Sequence, residues 1–236
     1  MPSTPRWVEA INKALSNPSN KGKNIYQVAT VDARNAPHVR SQVHRAFTHP
    51  DGRPDLPLLL TSTDARTPKV LQLLANPAVE LAWWMEGTQD QFRLSGFAHI
   101  VPASPAEPDT SFRFAPIPAD ALALRTLEAQ AFDWEAKRLE LFQQMSPGMR
   151  ASWCVPGAPG SAIGSYEEQK EWPSQVPQEP QTEEDKKNAE MASKNFALML
   201  IEPVSVDWVE LGVKPNRRTI FTRREDGGWT EQLAIP

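Results

Sequence analysis

The chain has 236 residues, 40% of them hydrophobic, which is enough to bury a sizeable core in one domain with insertions and too little for a two-domain enzyme of ordinary size. Its 25 Lys and Arg stand against 29 Asp and Glu, so no global charge attracts nucleic acid and any anion site has to be local. The single cysteine, Cys154, excludes an internal disulfide framework and a cysteine-rich zinc site, and no apolar run reaches the length of a signal-peptide core or a membrane span, so a cytoplasmic protein with no membrane or nucleic-acid partner is expected.

Thr4 followed by Pro5 starts a helix that repeats Trp7, Ile11, Ala14 and Leu15 on one face until Asn17-Pro18 stops it. Such a helix serves as a lid on a sheet or barrel. Residues 24–32 and 37–47 are β-rich and joined by the turn D-A-R-N-A-P, which predicts a hairpin. Alternation in its second strand puts Arg40, Gln42 and His44 on one face and Val39, Ser41, Val43 and Arg45 on the other. Both faces then carry a cation, and an inward Arg costs about several kcal/mol of desolvation unless it is paired. A bound anion would supply the partner; an edge strand guarded by charge is the competing reading.

The apolar run 56–60 reads as a buried strand closed by Thr61, Ser62 and Thr63. Arg66 and Lys69 then open a short helix with Val70, Leu73 and Leu74 on its apolar face, ending at Asn76-Pro77. Hydroxyls, two cations and a helix N-terminus suit an anion of phosphate size. Taken alone, a capped surface helix with solvated charges explains the same residues more simply. Two further strands follow at 79–85 and 91–101, the second with Gln91, Arg93 and Ser95 opposite Phe92 and Leu94. Short turns and one intervening helix favour an antiparallel barrel over a parallel sheet, a mainly β class with helices (α+β).

Proline crowds the stretches 102–118 and 147–180, which marks an insertion over 102–194. Within it, 119–144 is helical by spacing, and 165–194, polar and without period, reads as a poorly ordered loop. Strands return at 196–201, 205–211, 217–224 and 229–235, the last two joined by the hairpin turn E-D-G-G. None of the four His residues has triad-like or metal-ligand spacing, so no metal and no catalytic side chain is assigned.

Several pieces in this order resemble the pyridoxamine 5'-phosphate oxidase-like, FMN-binding split-barrel proteins. They are A-T-V-D, R-x-x-V-x-[KR], T-x-x-x-x-R before a helix ending in N-P, Q-F-R-L-S-G, and a C-terminal hairpin with D-G-x-W. The resemblance implies an antiparallel split β-barrel and a homodimer holding FMN in a groove between the subunits. It puts Arg40, Ser41, Val43 and Arg45 along the flavin and Thr61, Ser62 and Arg66 at its phosphate, with Lys69 as a second cation. Gln91 approaches from the neighbouring strand, and Trp208 and Arg218 come from the other subunit. The oxidases hold pyridoxamine phosphate with a strand Lys and a C-terminal Arg-x-His. Those places fall here on Arg45 and on Pro215 and Arg217, so vitamin B6 oxidation is not implied. Trp134 to Arg138 (W-E-x-x-R) and S-P-x-x-R-A resemble a divergent branch, in which Arg150 and Ser152 would line the substrate side. The function implied is a flavin-dependent oxidoreductase acting on a small molecule; the alternative is a flavin-binding module for storage, sensing or partner binding.

Overall fold

The computed structural model describes residues 2–103 and 117–236, and its strands belong to one antiparallel sheet. β1 (Ile25–Val31) lies between β2 (Pro37–Val43) and β5 (Ala78–Met85). β6 (Asp90–Val101) follows, then the long β7 (Phe196–Glu210), then β4 (Leu58–Asp64) carrying the short β3 (Ala46–Thr48). The second half of β7 also pairs with β8 (Arg217–Arg223), and β8 with β9 (Trp229–Ala234). The sheet curls until β2 faces β4, but no ladder joins them. The seam is bridged by the Arg45 N–H, which donates to the Leu60 carbonyl at 2.9 Å, and by the Gln42 side chain. This is a split barrel.

Alternation along β4 and β7 divides the core in two. Leu59, Met199 and Ile201 point into the barrel with Val28, Leu81, Trp83, Phe92 and Leu94. Leu58, Leu60, Phe196, Leu198 and Leu200 point outward under a layer of helices. Both strands are buried on both faces there, which is why they read as unbroken apolar runs. α1 (Arg6–Ser16) covers one end of the barrel with Trp7, Val8, Ile11 and Ala14, and α2 (Pro68–Ala75) adds Val70 and Leu73.

The outer layer comprises α3 (Leu122–Ala129), α4 (Trp134–Gln143), α5 (Pro147–Ala151) and α6 (Glu183–Asn195). The fully buried Glu202 fastens it to the barrel. Its carboxylate accepts from the backbone N–H groups of Ala123 at 3.0 Å and Leu124 at 2.9 Å, and pairs with Arg223. The free N–H groups and dipole of a helix start favour that charge. Buried Arg138 pairs with Glu135 and donates to the carbonyls of Ser193 at 2.8 Å and Phe196 at 3.2 Å, closing the end of α6.

The structure departs from the sequence expectations in several places. Glu183–Asn195 is helical rather than part of a poorly ordered loop, held by a capping box in which Thr182 and Asp185 exchange bonds of 3.0 Å. The helical stretch expected over 119–144 is broken after α3, where Ala131 has φ 53°. β4 continues through Thr61, Ser62 and Thr63 to Asp64, because threonine suits a strand and these residues pair with β7. The proline-rich excursion expected over 102–118 lies mostly outside the described residues.

Candidate functional site at the barrel seam

The strand pairing Val28↔Arg40 and Tyr26↔Gln42 turns Arg40 and Gln42 toward the barrel interior at the seam. Gln42 Nε2 donates to Thr61 Oγ1 at 2.7 Å and to the Ser62 carbonyl, and its Oε1 accepts from Lys69 Nζ at 2.8 Å. Thr61 in turn donates to the Val43 carbonyl at 2.7 Å. Arg40 donates to Thr30 Oγ1 at 2.6 Å, to the His38 carbonyl at 2.9 Å and to Gln72 Oε1 at 3.1 Å. Two neighbouring polar clusters therefore lie at the seam, one joining β2, β4 and α2 through Gln42, Thr61 and Lys69, the other joining β1, β2 and α2 through Arg40, Thr30 and Gln72. Alternation left open which of the two faces turns inward; it is the one carrying Arg40, whose partners within the chain are neutral.

Lys69 is only 7% exposed. Burial, and then the neighbouring Arg40 charge, push its ammonium down to about 8, while Asp64 acts the other way. Burial also lowers the Arg40 guanidinium. Pro68 occupies the first turn of α2 and no side chain caps its start at Thr67, so part of the helix's positive end is open to an anion.

Arg66, expected at the phosphate, has partners within the chain. It grips Asp64 with two bonds of 3.0 and 2.7 Å and donates to the Val155 carbonyl at 2.9 Å, tying the loop after β4 to the helical layer. Arg45 is the opposite case. Its guanidinium is lowered by burial, and its Nε is buried with no hydrogen-bond partner among the described residues. Ser41 and Val43 alternate with Arg40 and Gln42 on the outer face of β2, and Ser62 lies opposite Leu198 on the outward side of β4.

The C-terminal residues split between the two faces of the sheet. Trp208 pairs with Phe92 and Thr219 and turns inward; its Nε1 donates to Asp90 at 2.9 Å and its ring stacks on Phe92 at 5.6 Å. Gln91, Val209 and Arg218 stand abreast on β6, β7 and β8, facing outward. Beside them Asp207 takes both Arg93 and Arg218, the latter through bonds of 3.0 and 2.8 Å. Within one chain four strands separate Arg40 on β2 from Arg218 on β8 along the sheet, so the structure does not bring the two groups together.

Arg150 is 4% exposed; it donates to the Gln143 carbonyl at 2.9 Å and lies 5.0 Å from the Phe142 ring centre, a packing role in the helical layer. Ser152 is exposed and bonds the Met149 carbonyl, and Arg217 is exposed at the start of β8. Sequence reasoning left Thr30, Gln72, Asp64 and Asp207 out of the site: Thr30 and Asp207 become partners through strand register, Gln72 through the packing of α2 on β1, and Asp64 through a local pair with Arg66 that spacing could have shown. Two cavities open away from the seam. One of about 830 Å³ is lined by Arg6, Arg53, Arg224 and Trp229, and one of about 490 Å³ by Lys13, Asp90 and Trp208, both beside α1.

The donor set fits a phosphate monoester with a carbonyl-bearing ring. Arg40, Arg45, Lys69 and the Asp64-paired Arg66 lie about the seam with hydroxyls and amides, burial and then the Arg40 charge lower the Lys69 ammonium to about 8, and Arg45 has an unused buried donor. A split antiparallel barrel with such a seam defines the class of FMN-binding split-barrel proteins. Residues 4–102 match the family described as "Pyridoxamine 5'-phosphate oxidase, FMN-binding domain". Residues 4–102 thus carry a pyridoxamine 5'-phosphate oxidase-like, FMN-binding domain.

A curated relative, "Pyridoxine/pyridoxamine 5'-phosphate oxidase 2" of Arabidopsis thaliana, is 25% identical over 98% of this chain and 96% of its own. A pyridoxamine 5'-phosphate oxidase-related, FMN-binding protein of Nostoc punctiforme superposes with a TM-score of 0.71 at 24% identity, covering 99% of this chain and 100% of that one. PhzG of Burkholderia lata, solved with tetrahydrophenazine-1-carboxylic acid, gives 0.57 at 13% identity over 98% and 89%. The two solved structures establish the fold.

Proposed function

We propose that the protein is an FMN-dependent oxidoreductase acting on a small molecule, working as a homodimer whose two subunits build each flavin groove. The observation that carries the reading is the seam, where buried Lys69 and half-buried Arg40 each bond only neutral acceptors, Gln42 for the one and Thr30, Gln72 and the His38 carbonyl for the other, while the nearby Asp64 is taken by Arg66. Bound there, FMN supplies a two-electron acceptor and donor. Lys69, Arg40 and the open start of α2 hold the phosphate, Thr61 and Gln42 orient the cations, and Arg66 keeps the adjoining loop in place against Val155. Arg45, on the ring side, offers a donor whose charge favours an anionic reduced ring. Arg218 and Gln91, too far along the sheet to reach the same chain's seam, serve the partner subunit's groove, which is why the site needs two copies. Arg45, Pro215 and Arg217 stand where the vitamin B6 oxidases carry a strand Lys and a C-terminal Arg-x-His, so vitamin B6 oxidation is not the activity proposed.

The test is the absorbance spectrum of the purified protein, the mass of the released cofactor, and turnover with NAD(P)H, pyridoxamine 5'-phosphate and oxygen. Flavin bands, a mass matching FMN and turnover of a donor support the reading. A protein that takes up no FMN overturns it, and tight FMN with no turnover across a broad donor panel replaces it with a flavin-binding module.

A further inference from the structure

The outward face of β6, β7 and β8 carries a charge arrangement that neither the packing nor the seam requires. Asp207 lies on the strand between two arginines and accepts from both. Arg218 reaches its two oxygens from β8 and Arg93 reaches one from β6. Arg93 Nε is buried with no partner among the described residues, so its guanidinium is held by the carboxylate alone. Gln91 stands on the same face, level with Arg218 across Val209, at about 10 Å for two strand spacings. Two guanidinium groups reaching over one strand from either side repel each other and adopt many rotamers unless an anion fixes them. Asp207 does this while leaving the patch one positive charge in a chain whose net charge is −4.

We propose that Asp207 is a positioning residue for the flavin: it aims the Arg218 donors outward beside Gln91 and trims the cationic field of that face to a single charge. The proposal rests on the reading that Arg218 and Gln91 meet the flavin of the partner subunit. Field strength at that point sets how much more tightly the reduced, anionic ring is held than the oxidised one. Asp207 therefore tunes the reduction potential without touching the reacting atoms. Removing its charge makes the face more positive and favours the reduced form; removing the Arg93 charge makes it less positive and favours the oxidised form.

The experiment is a dye-coupled reductive titration of the FMN-loaded protein and of two variants, Asp207→Asn and Arg93→Gln. Asp207→Asn is expected to strengthen reduced over oxidised FMN at least tenfold, a rise of about 30 mV for a two-electron couple. Arg93→Gln, a change at a half-exposed side chain that leaves the core intact, is expected to move the potential the other way. An unchanged potential in both variants with FMN still bound, or a fall in Asp207→Asn, overturns the proposal and leaves the flavin reading standing. Failure of the unmodified protein to hold FMN removes both.

Discussion

Lys69 is buried and has a nearby cation in Arg40, and with Gln42 as its bonded acceptor its proton is held less firmly than on a solvated lysine. Two consequences follow from the sign of that shift. In the FMN-free chain the folded pKa, about 8, lies below the ordinary lysine value of 10.5. Between these values the unfolded chain binds more protons, so stability rises with pH across that window. An anion beside Lys69 needs the protonated form, so FMN affinity is expected to be flat below about pH 8 and to fall above it. Lys69→Met should weaken FMN by about 1.5–3 kcal/mol and flatten that slope, as read by flavin fluorescence titration from pH 6.5 to 9.5.

Arg66 belongs to a different kind of prediction. Arg66→Ala strips the partner from the buried Asp64 carboxylate, so the loss should appear first as a lower Tm of the FMN-free protein. Asp64→Asn in the same chain should recover part of it, because the uncompensated charge is then gone. A Tm unchanged by Arg66→Ala would mean that its tie to Asp64 and Val155 is not stabilising.

Among the elements, β6 and β7 carry the tightest geometric demand. The register between them shifts at Ser95/Gly96, and a Cβ on Gly96 would sit 2.0 Å from the Glu202 carbonyl oxygen. Glu202 also holds the start of α3, so its loss strips Arg223 and two N–H groups of their acceptor. Glu202→Ala is expected to cost about 3–5 kcal/mol, with hydrogen exchange in α3 accelerating before exchange in β1 and β5. Uniform acceleration would show that the helical layer does not open on its own.

What the sequence discloses at this scale follows from where each element finds its stabilisation. Strands with alternating or doubly apolar patterns, such as 79–85 and 196–201, are legible because their burial is written in their own residues. α6 buries only Ala192 and is sustained by its Thr182–Asp185 box, so periodicity passes over it. Pro203 suggests a break in β7. It is tolerated because it falls between the stretch bonded to β4 and the stretch bonded to β8, where that edge of the strand has no ladder. For the site, residue types mark Arg40, Thr61 and Lys69, whereas the opposite facing of Trp208 and Arg218 depends on a hairpin register that composition does not encode.

At the scale of the whole molecule, the outer face of β2, β1 and β5 leaves Val39 70% and Trp84 42% exposed, with Ile25 between them. Next to the Arg93–Asp207–Arg218 patch, this is the surface the proposed homodimer would cover. Val39→Glu should shift the protein toward monomer in light scattering and weaken FMN at the same time. A monomer that binds FMN as tightly as the unmodified protein would contradict a groove shared by two subunits.

β7 bonds to β6 along one edge and to both β4 and β8 along the other, yet it begins almost a hundred residues after β6 ends. During synthesis the first six strands therefore leave the ribosome with β4 and β6 each lacking a neighbour, and their edges stay open until the chain has grown past residue 210. The segment 4–102 that matches the FMN-binding domain is for this reason not a unit that can close by itself. A fragment ending there should give poorly dispersed amide resonances and aggregate, and adding a separate chain of residues 117–236 should rescue it. Late arrival of a shared strand makes this barrel vulnerable while it is being made, long after which the finished fold shows no trace of the risk.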